Sequence, residues 1–97
     1  MGMELAVQRS AEGVSIRGVL EVLSRGGMVC TVMMVDGQLV MPGSEPPAGW
    51  RDVRRRTPAG MVTVTRKPTG LSVVVFGNAD AALQEAQRRV AEALEQG

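Results

Sequence analysis

Met28-Val29-Cys30-Thr31-Val32-Met33-Met34-Val35-Asp36-Gly37-Gln38-Leu39-Val40-Met41 is the stretch on which the fold turns. Asp36-Gly37 lies between two apolar runs. Both central residues of a type I′ turn need φ > 0, which this pair tolerates, so it predicts a hairpin with strands Met28–Val35 and Gln38–Met41. The first of these strands is apolar on both faces. A strand of that kind is covered on both sides.

Working outward, a second hairpin follows. Gly60–Lys67 and Leu71–Phe76 flank Pro68-Thr69-Gly70, where proline pre-sets one turn dihedral and glycine closes the turn. Between the hairpins, Pro42-Gly43-Ser44-Glu45-Pro46-Pro47-Ala48-Gly49 reads as a loop, and Trp50–Thr57 as a further strand or short helix that Pro58 ends. Upstream, Glu4–Arg9 alternates Leu5 and Val7 with polar residues, as a half-buried strand does. Residues 14–25 fit two patterns. Ile16, Val19, Leu20 and Leu23 make a helical stripe, with Ser15 to cap it and Arg25-Gly26-Gly27 to stop it. Val14, Ile16, Leu20 and Val22 also fit one face of a strand, after a turn at Ala11-Glu12-Gly13, and Gly18 weakens a helix by about 1 kcal/mol. The helix is preferred.

The C-terminal segment is the clearest. From Ala79 to Glu95, the residues Ala82, Leu83, Ala86, Val90, Ala93 and Leu94 form one stripe of an amphipathic helix. Asn78 suits its N-cap, Asp80 its first turn, and Glu85–Arg89 and Arg88–Glu92 are i, i+4 pairs. The expected fold class is therefore α+β: a two-layer antiparallel sheet of four to six strands with the C-terminal α-helix packed on one face. Residues 1–97 suffice for one domain. The helical stripe is narrow and rich in Ala, so it covers one sheet face only. The other face then needs a curled sheet or a second subunit, and the second of these motivates the expectation of a homodimer.

Composition narrows the chemistry. There is no histidine and no tyrosine, which removes the commonest general base near neutral pH and the commonest transition-metal ligand. Cys30 is the single cysteine, so it forms no intrachain disulfide, and mid-strand it reads as a small core group. The carboxylates form no recognisable pair, and the glycines follow neither the Rossmann nor the P-loop spacing. These features predict a protein that is not an enzyme, with no catalytic residues, metal or cofactor. The first residues lack a signal-peptide pattern, no apolar run approaches the ~20 residues of a membrane span, and position 6 is Ala where a myristoylation motif wants Ser or Thr. A cytoplasmic protein that avoids membranes is the expectation.

The net charge of +1 hides a segregation. Residues 51–70 hold Arg51, Arg54, Arg55, Arg56, Arg66 and Lys67 against Asp52, whereas residues 1–50 and 71–97 are each mildly acidic. Arginine forks match phosphate oxygens, which makes these six cations candidate nucleic-acid or anion-binding residues. In an extended segment Arg54 and Arg56 share one face and Arg55 takes the other. Trp50 has two readings: an anchor holding the loop on the core, which is preferred, or an exposed anchor for a partner. Met28, Met33, Met34, Met41 and Met61 read as core filling in a chain whose only aromatics are Trp50 and Phe76. The leading expectation is a small binding or assembly module that self-associates through an apolar sheet face. The alternative is a nucleic-acid-binding accessory protein using the arginine-rich patch.

Overall fold

Eight elements organise the chain: β1 (Gly2–Val7), α1 (Ile16–Arg25), β2 (Met33–Val35), β3 (Gln38–Val40), β4 (Asp52–Thr57), β5 (Gly60–Lys67), β6 (Gly70–Gly77) and α2 (Ala81–Gln96). They come from a computed structural model that describes residues 2–12, 14–77 and 81–96. The six strands form one antiparallel sheet in the order β1-β6-β5-β4-β2-β3, so the first strand becomes an edge beside the last. This is the expected α+β architecture, with α2 packed on the sheet against β6, β1 and β5 and alongside α1.

The turns form where their residues demand them. Asp36 and Gly37 take φ of 51° and 83°, the values of a type I′ hairpin. Asp36 also ties that hairpin to the next strand. Its Oδ1 accepts from the backbone N–H groups of Arg51 and Asp52, both at 2.9 Å, and its own N–H donates to the Asp52 carbonyl. Residues 14–25 resolve in favour of the helix: Ile16, Val19, Leu20 and Leu23 are its buried face, and the Ser15 hydroxyl accepts from the Gly18 N–H as an N-cap.

One strand is much shorter than its sequence suggests. Met28–Val32 lies outside the sheet ladder, and β2 keeps only Met33–Val35. The end of α1 consumes the start of the run. Gly27, at φ 88°, turns the chain; its N–H reaches the Ser24 carbonyl while the Met28 N–H reaches that of Leu23, the two bonds of a Schellman cap. Val32 and Thr31 then touch β4 through single hydrogen bonds to Arg56. The apolar character on both sides of this run therefore does not mean coverage on both sides: Val29 is exposed.

The core lies between the sheet and the two helices. Val53, Val62, Val64, Leu71, Val73 and Val75 point to that side and are buried, together with Ile16, Leu23, Leu83, Val90 and Leu94. The stripe of α2 is rotated from the expected one: Ala82 is exposed, and Gln87 and Ala91 are buried. Gln87 is accommodated because its Nε2 donates to the Val73 carbonyl at 2.9 Å. Both expected ion pairs of α2 form, Glu85 with Arg89 and Arg88 with Glu92. Arg88 and Arg89 together hold the Glu85 carboxyl down at about 2. Asn78 and Asp80, the expected N-cap and first-turn acid, lie outside the described residues. At the other end, Arg9 donates to the Leu94 carbonyl at 3.0 Å, fastening the chain after β1 to the last turn of α2 with a favourable charge.

Candidate interaction surface

Side chains alternate across a strand, so the residues between the buried valines point away from the helices. Strand register aligns them in rows. Leu39, Met34, Arg54, Thr63, Val74 and Glu4 cross the whole sheet in one row. Arg56, Met61 and Phe76 form a second, and Asp52, Thr65, Ser72 and Ala6 a third. Among the described residues no element lies over this face. Phe76 is 66% and Leu39 73% exposed, whereas Met34, Met61 and Val74 are half-buried. A shallow hollow of about 420 Å³ runs along it, lined by Asp52, Arg54, Met61, Thr63, Thr65, Val74 and Phe76.

The six cations do not converge. Arg54 and Arg56 stand exposed on the open face, Arg54 donating through Nε to the Thr63 hydroxyl at 3.2 Å. Arg55 points the other way, between the sheet and α1, and is buried; its Nη2 donates to the Cys30 carbonyl at 3.3 Å. Arg66 shares the helix-side parity of Val62 and Val64, and its guanidinium carbon sits 4.6 Å from the centre of the Trp50 ring while Nη2 donates to the Ala48 carbonyl. Lys67 pairs with Glu4 at 2.8 Å, and that ammonium holds the Glu4 carboxyl below the usual glutamate range. Arg51 is exposed just before β4. One continuous six-residue patch is thus replaced by two exposed arginines and the Glu4-paired Lys67 on a mixed open face, with Arg51, Arg55 and Arg66 placed elsewhere.

Trp50 takes the loop-anchoring place. It is 4% exposed and capped by Arg66, which leaves the indole unavailable as an exposed anchor for a partner. The methionines divide: Met33 is core, Met28 packs at its margin, Met34 and Met61 lie on the open face, and Met41 is exposed. Cys30 is half-buried, its thiol 3.9 Å from the Met28 carbonyl. Among the described residues, no three or more His, Cys, Asp or Glu side chains gather as a metal site requires, and no helix is long and apolar enough to cross a membrane.

The split of Arg54 and Arg56 from Arg55 follows from strand alternation and was readable in the sequence. The burial of Arg55 had a weaker signal: it shares its parity with Val53 and Thr57, both buried. The exposure of Phe76 had a signal too, as the far end of the alternation Ser72, Val74, Phe76. No family model matches the chain, and no curated protein or solved structure is significantly similar to it.

Proposed function

We propose that the chain is a small non-enzymatic binding and assembly module that self-associates through the open face of its sheet. The observation that carries this reading is Phe76, 66% exposed at one end of the open face, beside Met61 on β5 and one row from Val74, with Met34 and Leu39 further across the sheet. Exposed apolar side chains grouped on a sheet, as Phe76, Met61 and Val74 are here, are characteristic of interaction sites. Strands ~4.8 Å apart with ~3.3 Å per residue give a face of roughly 25 by 20 Å, so two copies would bury on the order of 1,000 Å². That is near the lower end for specific interfaces, which fits a dimer of micromolar affinity better than an obligate one.

Sedimentation equilibrium across the micromolar range tests it. A reversible dimer that survives high salt is expected, and Phe76→Glu, which places a carboxylate outside the core, shifts the chain to monomer with its circular dichroism unchanged. A wild-type chain that stays monomeric throughout that range overturns the proposal.

A further inference from the structure

A second concavity lies on the other side of the sheet, between α1 and the loop after β3. It has a volume of about 400 Å³, within the range of small-ligand sites. Its lining includes Arg55 on β4, Arg17 and Arg25 on α1, and the hydroxyl residues Ser24 and Ser44. Leu20, Met33 and Pro42 supply an apolar wall.

Arg55 is the unusual member. It is 9% exposed, in a row where its cross-strand neighbours are Met33 and Val62. A guanidinium stays charged under all ordinary conditions, and a buried charge is tolerated when it is paired. Yet among the described residues its guanidinium's only hydrogen bond is to the Cys30 carbonyl, its Nη1 is buried without a partner, and no carboxylate forms an ion pair with it. The one acid in the lining, Glu21, is half exposed and shared between Arg17 at 3.9 Å and Arg25 at 3.5 Å. The hollow therefore presents three arginines against one glutamate.

We propose that this hollow binds a small phosphate monoester, its phosphate received by Arg55 with Arg17 and Arg25 at the rim and its organic part against Leu20, Met33 and Pro42. The excess of two positive charges matches the dianion of a monoester better than a single carboxylate. The guanidinium fork suits phosphate oxygens, and charge-assisted bonds of this kind are the strong ones. The mainly apolar wall favours a phosphate carrying an organic group over the bare ion. The site lies on the opposite side of the sheet from the proposed self-association face, so the two readings stand or fall separately.

The test is titration of the full chain with phenyl phosphate, inorganic phosphate and benzoate, followed by calorimetry and by amide chemical shifts. Saturable binding of phenyl phosphate is expected, moving the amides of Ser24, Gly43 and Ser44, with inorganic phosphate and benzoate each weaker by about tenfold. Arg55→Met, which keeps the stem and removes the charge, weakens phenyl phosphate by about tenfold or more. Without ligand, that variant melts no lower than the wild type, because the unpaired buried charge is gone; a merely structural arginine would give a lower melt. Should Arg55→Met fail to fold, Arg17→Ala and Arg25→Ala, both on the exposed side of α1, still report: each weakens binding several-fold. No saturable binding of phenyl phosphate overturns the proposal. So do equal binding of benzoate, indifference to the arginine substitutions, or shifts confined to the Arg54 and Arg56 face.

Discussion

Asp36 shows how much one side chain decides. Its residue type permits the positive φ of the hairpin, and its carboxylate gathers the first two N–H groups of the β4 region. The bonds from Asp52 and Arg51 hold its acid below the usual aspartate range. A carboxylate whose pKa is depressed by folding stabilises the fold above its unfolded value, near 3.9, and loses that contribution as pH falls through the lower folded value. Asp36→Asn keeps the turn conformation but not the charge. Its urea midpoint is expected to lie below that of the wild type at neutral pH. The gap is expected to close as the pH drops below the ordinary carboxylate range. A gap independent of pH would mean that the charge contributes nothing. Arg66 makes the complementary point. Its neighbours in sequence suggested a shared surface, yet its place over Trp50 is fixed by a contact across the fold that no local pattern encodes.

At the scale of elements, α1 is held by its ends. Ser15 caps the first turn and also donates to Glu45 at 3.3 Å, while the Gly27 turn closes the last. Ser15→Ala is expected to cost about 1 kcal/mol in chemical denaturation. Gly18 points the other way. A β-carbon there would meet only the Ser15 side chain, its nearest atom at the ordinary contact distance of 3.4 Å, so Gly18→Ala is expected to stabilise by up to ~1 kcal/mol. A loss of stability in Gly18→Ala would show that the helix needs the glycine for some other reason. Both hairpins and α2 were legible in the sequence, because Asp36-Gly37, Pro68-Thr69-Gly70 and a 3.6-residue period each specify geometry locally. Met28–Val32 was not legible. Hydrophobicity says that a segment prefers cover, but not whether its backbone joins a ladder, and here the helix cap takes Met28 first. The burial of Gln87 was hidden for a similar reason, since only the packed sheet supplies the Val73 carbonyl that satisfies it.

For the whole molecule, the decisive property is one-sidedness. Two helices cover one face of a six-stranded sheet, and the other is left with Phe76, Leu39, two arginines and the Lys67–Glu4 pair. This arrangement also bounds the nucleic-acid alternative. Six converging cations would give a log–log salt slope up to about −5 on duplex DNA, but among the described residues the open face offers Arg54, Arg56 and the Glu4-paired Lys67, for a slope of no more than about −3. Heparin or duplex binding measured across salt concentrations should therefore be weak and shallow. A slope near the larger value would require Arg51 and the dispersed cations to act together, and would favour nucleic acid as the partner. The candidate surface was only half readable from the sequence. Alternation placed its residues on one face, but the absence of cover among the described residues is a property of how two short helices share the opposite side.

The seating of Trp50 has a practical consequence. It is the chain's only tryptophan, and there is no tyrosine to contribute a competing signal. Its ring lies sealed beneath Arg66, at the end of the same loop whose beginning, Pro42 to Ser44, walls the arginine-lined hollow. The intrinsic fluorescence of this protein is therefore a single-site optical gauge of how that loop is docked, and it needs no label.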